Sequence, residues 1–269
     1  SEYPDWQMLV LFVSKDIDIA TLQVPVNEPE IKISDDGDQL VRRLVFHHPT
    51  ASAVRYKNTG VYIITGGLGF VGRSIAKSVY ENGGTNIILL SSTRSSVPSD
   101  WEYDFTPIVY KCDVRDKKQV TDFFSTLTEK VEGVFHAAGV LSDKMLPNLM
   151  DVDWEVVFRS KVDGANHIDS VLHDLHITPS FVVLCSSIAS CFGSAGQANY
   201  AAANGALDAL ARKRDNYISI QWGPWLGGGM AVDETIQRSS RMGVVGLTRE
   251  MACKQLQRVI HNKERVVVI

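Results

Sequence analysis

The sequence predicts a doubly wound α/β fold preceded by a small β-rich segment, and three observations carry that reading. From about Val61 onward, short apolar runs rich in β-branched residues alternate with helix-patterned stretches. Those runs are apolar almost throughout rather than at every second residue, as in parallel strands covered on both faces by helices. Between the first run and the first helix lies a glycine-rich turn, TGGLGFVG (65–72).

Taken in order, VYIIT (61–65) is the first strand, and FVGRSIAKSVYENG (70–83) is the helix behind the turn. NIILL (86–90) and PIVYKCDV (107–114) are the second and third strands, and KKQVTDFFSTLTEKV (117–131) is a helix. GVFHAAG (133–139) is the fourth strand, followed by one long helical pattern over 153–175. SFVVLCSS (180–187) precedes the helix YAAANGALDALARKR (200–214). YISIQWG (217–223) is the sixth strand, and a last helix over 249–261 leads into RVVVI (265–269).

Residues 1–57 read differently. MLVLFV, TLQV, EIKIS and LVRRLVF are strand-like, with no helices between them. The segment is too short for a second nucleotide fold, so the expected organisation is a partial structural subdomain (1–57) and a nucleotide-binding domain (58–269). The start without Met and the strand-like end read as a piece cut from a longer polypeptide.

Composition narrows the function. With 27 Lys and Arg against 31 Asp and Glu, net charge is −4, and the basic residues are scattered rather than striped, which argues against a nucleic-acid partner. No apolar run approaches the roughly 20 residues that cross a bilayer, and no signal peptide is visible, so the expected location is cytoplasmic and no membrane is involved. The four cysteines form no CxxC pair, and His173 and His176 have no companion ligand. No metal site is expected.

The turn 65–72 sits between a strand and a helix, where glycines let a backbone approach a pyrophosphate and an uncapped helix end attracts it. Thr65, Gly66, Gly67, Gly69 and Gly72 are the candidate phosphate residues. The end of the second strand, LLSSTRSS, carries no acid for a ribose 2′-hydroxyl. It offers Ser91, Ser92 and Arg94, and a guanidinium there favours a 2′-phosphate, hence NADPH. Asp113 and Val114 are expected to hold the adenine. The small residues Ala137, Ala138 and Gly139 let the cofactor pass close, and Gly223 and Pro224 present backbone groups to the nicotinamide. The glycines 227–229 are expected hinges of a lid over about 225–246.

One stretch, SSIASCFGSAGQANYAAAN (186–204), sets a serine thirteen residues before a tyrosine and an asparagine four residues after it. Together with TGGLGFVG, CDV, FHAAGVLSD, SKVDGAN and WGPW, in that order, it resembles the ketoreductase domains of polyketide synthases and animal-type fatty acid synthases. These belong to the short-chain dehydrogenase/reductase superfamily, with its Rossmann-type sheet. The resemblance covers roughly 60–269. It implies Tyr200 as proton donor, Ser187 as hydrogen-bond donor to the carbonyl, Lys161 as electrostatic activator and Asn204 as the residue that positions a water or the lysine. The wider superfamily places its lysine four residues after the tyrosine; here that position is Asn204, and Lys161 stands where the asparagine would be. A neighbouring ammonium is expected to favour the phenolate and lower the tyrosine pKa.

The resemblance also implies the substrate, a β-ketoacyl chain on the phosphopantetheine of an acyl carrier protein, and neighbouring synthase domains as partners. LSD (141–143) is similar to the Leu-Asp-Asp signature of B-type ketoreductases, although Ser142 replaces its middle residue. Phe192 stands where the A type has tryptophan, and Asn199 matches the B pattern, while Ala195 replaces its usual proline. Asp143 and Asn199 are therefore the expected substrate-orienting residues, and the product a (3R)-hydroxyacyl thioester. Two other readings compete: a non-reducing or epimerising domain that binds NADPH as a scaffold, and a free-standing carbonyl reductase. The filled catalytic set disfavours the first. The appended 1–57 segment, the ends of the chain and the exchanged lysine disfavour the second.

Overall fold

The computed structural model of the chain describes residues 10–12, 30–34, 36, 38–41, 43–45, 55–230, 236–237, 240, 243–260 and 264–269. The chain divides into two units, Ser1–His48 and Pro49–Ile269. In the first, strands β1 (Val10–Phe12), β2 (Glu30–Ile33) and β3 (Gln39–Val41) form a sheet in that order. β1 and β2 are parallel, β2 and β3 antiparallel. Ile31 and Ile33 are buried and Lys32 between them is exposed, the alternation of a strand with one face covered. The expected piece TLQV (21–24) lies outside the described residues, as do parts of MLVLFV and LVRRLVF.

The second unit is built on seven parallel strands: β4 (Val61–Thr65), β5 (Ile87–Ser91), β6 (Ile108–Lys111), β7 (Val131–His136), β8 (Phe181–Ser187), β9 (Tyr217–Trp222) and β10 (Val266–Val268). Their order is β10-β9-β8-β7-β4-β5-β6. Around them lie α1 (Phe70–Glu81), α2 (Lys117–Ser125), α3 (Asp151–Phe158), α4 (Gly164–Asp174), the short α5 (Ala189–Phe192), α6 (Ala198–Arg212) and α7 (Arg249–Val259). Successive strand residues feed opposite cores. Tyr62, Ile64, Phe181 and Val183 pack in the cluster that also holds Ile75 of α1 and Leu256 of α7. Val61, Ile63, Val182 and Leu184 pack in the other, with Phe123 of α2, Ile168 of α4 and Leu207 of α6. Both faces of the central strands are thus in use, which is why those runs read as continuously apolar, whereas the edge strand β6 leaves Ile108 and Tyr110 exposed. The chain builds outward from β4 through β5 and β6, then returns to build outward from β7. The carboxyl ends of β4 and β7 therefore flank the switch point at which such sheets bind ligands.

Three element limits differ from the sequence expectation. The helix expected over 117–131 ends at Ser125, because Thr126 turns both its N–H and its hydroxyl onto Phe123 O and Val131 already pairs with Val61 in the sheet. The third strand stops at Lys111, and Cys112–Val114 leave the sheet. The long pattern 153–175 is not one α-helix: a π-helical segment, Arg159–Asp163, separates α3 from α4.

Candidate active site

The site begins at the end of β4. Gly66 has φ +61°, and a Cβ there would lie 2.8 Å from Ala137 O. At Gly72 a Cβ would lie 2.4 Å from Gly66 O and 2.7 Å from Gly67 Cα, so the turn and the helix meet at a distance only glycine permits. α1 starts at Gly69 with no side-chain cap and no acid in its first turn, which leaves its N-terminal dipole free for an anion.

Beyond this turn opens a cavity of about 250 Å³. It gathers Gly66 and Gly69 of the turn, Ser91 and Ser92 after β5, Asp113 and Val114 after β6, and Ala138 and Gly139 after β7. Thr65 is buried beneath it, while Gly67 packs against Leu89 and, like Gly72, shapes the turn without lining the cavity. Arg94 is exposed and outside this lining. The basic residue that does line it is Arg115, which sequence reasoning missed.

A second cavity, about 360 Å³, lies where β8 and β9 end. Ser187, Tyr200, Lys161, Ala137, Gly223 and Pro224 all line it. The π-helical segment turns Lys161 inward: its side chain is buried, and Nζ donates to Cys185 O at 2.9 Å. Nζ also stands 5.3 Å from the Tyr200 ring centroid. Burial pulls the Lys161 ammonium down to about 8, against the opposing fields of Cys185 and Asp208. Burial likewise raises the Tyr200 phenol, and the Asn204 and Ser187 side chains work the other way without reversing it. The lowering of the tyrosine pKa expected from its lysine is therefore not the net effect. The ammonium is engaged with a carbonyl and sits over the ring.

Ser186 and Ser187 divide their work. Ser186 is buried and gives its hydroxyl to Asn204 O, whereas Ser187 Oγ accepts from Ala189 N–H and lines the cavity. Asn204 is fully buried on α6. Its Nδ2 donates to Tyr200 O, and its Oδ1 has no partner among the described residues. It makes no bond to Lys161.

Asp143 and Asn199 are not in the cavity lining. Asp143 accepts from Gln197 Nε2 at 2.7 Å, and it is Gln197 that reaches the cavity. Asn199 Nδ2 donates to Ser142 O and Asp153 O, each at 2.9 Å. Ser142 Oγ and Lys144 Nζ both donate to the Asp153 carboxylate. The loop that begins with LSD is therefore anchored from beneath by Asn199.

Two buried groups were not legible as site residues. His136 Nε2 donates to Lys161 O at 2.9 Å, and Nδ1 accepts from the Thr65 hydroxyl at 2.9 Å, because a carbonyl leaves the first nitrogen no other role. Thr65 Oγ1 also accepts from Ala138 N–H. Burial and the Lys161 ammonium push His136 down to about 4, so it is neutral in ordinary conditions. Asp208, two turns after Tyr200, accepts from Ser190, Ser219 and Gln221. Ser190 Oγ lies about as close to Ser187 O, so its one proton is shared between that carbonyl and Asp208.

Of the expected lid, Gly228, Gly229 and Met230 line the larger cavity. Gly227, Gly228 and Gly229 have φ of +85°, +158° and +96°. A Cβ at Gly228 would meet Phe70 at 2.4 Å. Residues 231–235, 238–239 and 241–242 of that segment lie outside the described residues. Among the described residues no cluster of His, Cys, Asp or Glu could hold a metal, and no helix is long and apolar enough to cross a membrane.

A nucleotide turn at the switch point, with a serine, a tyrosine and a lysine on one cavity beside it, defines a reductase of the short-chain dehydrogenase/reductase class. The family model described as KR domain matches residues 60–227. The chain belongs to that family, the ketoreductase domains of polyketide synthases. It is 33% identical over 251 residues to polyketide synthase GfsA of Streptomyces halstedii, covering 88% of this chain and 3% of that protein. It is 36% identical over 223 residues to the phenolphthiocerol synthesis polyketide synthase type I Pks15/1 of Mycobacterium bovis, covering 77% of this chain and 10% of the relative. Among solved structures, an A1-type ketoreductase superposes with a TM-score of 0.85 at 28% identity, over 100% of this chain and 61% of that one. The ketoreductase from the first module of phoslactomycin biosynthesis in Streptomyces sp. HK803 gives 0.84 at 30%, over 98% and 65%. The chain thus spans a small part of these curated relatives and under two thirds of these solved chains.

Proposed function

We propose that this ketoreductase domain uses NADPH to reduce a β-ketoacyl thioester, carried by an acyl carrier protein, to the (3R)-hydroxyacyl thioester. The observation that carries the reading is the meeting of Ser187, Tyr200 and Lys161 on one cavity, with Ala137, Gly223 and Pro224 beside them. The residues present fit a dinucleotide: the close-packed glycines leave room for a pyrophosphate, and the uncapped start of α1 faces it. The absence of an acid at Ser91 and Ser92 supports NADPH over NADH.

When bound, the cofactor supplies the hydride. Ser187 donates a hydrogen bond to the ketone oxygen and orients it. The raised pKa of Tyr200 keeps the phenol protonated at neutral pH, ready to deliver its proton to the alkoxide as it forms. The tyrosinate left behind lies beside the Lys161 ammonium, whose charge stabilises it in a dry site. Asn204, with its free Oδ1, is the acceptor that would hold a water bringing a proton back. The B-type reading rests on Asp143, Asn199 and Phe192, the last of which lines the cavity. Residues 1–57 belong, on this reading, to a structural subdomain, and the parent is a cytoplasmic multidomain synthase whose neighbouring domains pass on the carrier protein.

The test is NADPH oxidation with a β-ketoacyl N-acetylcysteamine thioester, with NADH and Tyr200→Phe in parallel and the alcohol resolved by chiral chromatography. Turnover with NADPH that collapses in Tyr200→Phe and yields the (3R)-alcohol is the expected result. A (3S) product would overturn the B-type assignment alone. NADPH binding without turnover would overturn the reductase and leave the scaffold.

A further inference from the structure

We propose that Arg115, and not Arg94, receives the 2′-phosphate of the cofactor and so sets the choice of NADPH over NADH; this rests on the NADPH reading above. The smaller cavity brings the ends of β5 and β6 to the place where the adenosine end of a dinucleotide lies in this fold. Arg115 is the one Lys, Arg or His in its lining among the described residues, and it shares that lining with Ser91 and Ser92. Arg94 is exposed outside it.

Arg115 is also held in place. Nε donates to both Asp113 carboxylate oxygens, at 2.9 and 3.0 Å, and Nη2 donates to Oδ2 at 2.6 Å. The Arg115 backbone N–H adds a bond to Oδ1 at 3.0 Å. Nη1 makes no hydrogen bond with any described residue, so one edge of a preorganised, planar fork is left for an incoming oxyanion. The charge balance points the same way. Asp113 alone would present an anion to a 2′-phosphate a ribose away from the adenine; Arg115 cancels that repulsion and leaves the Nη1 edge as a local hydrogen-bond donor. Arg159 contributes to the field at Asp113, but it pairs with Glu155 at 3.6 Å and lies outside the lining.

The experiment titrates the full chain with NADPH and with NADH, following the fluorescence of the bound nicotinamide, and displaces each with 2′,5′-ADP. Arg115→Ala is expected to weaken NADPH by about 10- to 100-fold, the worth of a charge-assisted contact, and to leave NADH little changed. Arg115→Gln keeps a bond to Asp113 while removing the charge, so it reproduces the selective loss even where the alanine variant folds poorly. Arg94→Ala is expected to bind NADPH as the parent does. An equal loss of both cofactors in Arg115→Gln, or a selective loss in Arg94→Ala, overturns the assignment while the NADPH reading stands. A parent chain that binds both cofactors alike overturns both.

Discussion

Replacing Lys161 with methionine is expected to make the protein more stable while abolishing reduction. The ammonium is fully buried, and its pKa falls from 10.5 to about 8. At about 1.4 kcal/mol per pH unit, keeping that charge inside the folded protein costs about 3 kcal/mol at pH 7. Methionine removes the charge but leaves Cys185 O without its donor, a loss of about 1 kcal/mol. The net gain is about 2 kcal/mol, or a rise in Tm of about 4 to 8 °C in a domain of this size.

The pH dependence identifies the cause. The folded pKa lies below the unfolded one, so the unfolded chain binds the extra proton, and stability rises with pH between about 8 and 10.5. Below about 8 the parent carries the full penalty. By pH 10 less than about 1 kcal/mol of it remains, and the two proteins converge. Urea melts of both proteins from pH 6 to 10 measure the difference directly, with everything common to the two chains cancelling. A methionine variant less stable than the parent at pH 7, or a difference flat across the range, would refute the argument by showing the ammonium to be compensated inside the site. Turnover, measured beside the melts, is expected to fall by about 100-fold or more.

Two glycines give opposite expectations. Gly72→Ala puts a Cβ 2.4 Å from Gly66 O, so the phosphate turn must open; it is expected to cost about 1 to 3 kcal/mol in thermal melts and to weaken NADPH binding. Gly205→Ala meets open space within α6 and is expected to add up to about 1 kcal/mol with unchanged turnover. Asp208→Asn replaces the acceptor of three hydrogen bonds with a neutral amide that keeps a single accepting oxygen, so the charge-assisted bonds are lost and at least one donor must reorient, a loss of about 1 to 3 kcal/mol by denaturant melts. Because the Asp208 charge holds the Lys161 pKa up, its removal lets that pKa fall below about 8, and the alkaline limb of the reduction rate moves to lower pH.

The central strands were legible because a strand covered on both faces must be apolar at consecutive positions, and Val61, Ile63, Tyr62 and Ile64 show it within a single element. The glycine turn was legible for a related reason: a Cβ at Gly66 or Gly72 has nowhere to go. What sequence could not express is geometry set by irregular backbone. The inward aim of Lys161 depends on a π-helical segment, and its residues RSKVD carry no propensity that announces one. Which arginine lines the smaller cavity depends on the paths of two loops: the chain order around Ser91 pointed to Arg94, and the cavity lining holds Arg115. Asn199 looks like a cavity residue because it precedes Tyr200, yet neighbours on a helix point about 100° apart, and its side chain serves the loop beneath.

The bridge from Thr65 through His136 to Lys161 behaves as a dowel through three timbers. It fixes the end of the phosphate strand, the start of the alanine turn and the lysine-bearing segment with one imidazole. Being neutral down to about pH 4, the imidazole does not work loose as conditions change. The turn after β4 and the lysine-bearing segment are therefore tied through one side chain, so a displacement of either strains the same two hydrogen bonds.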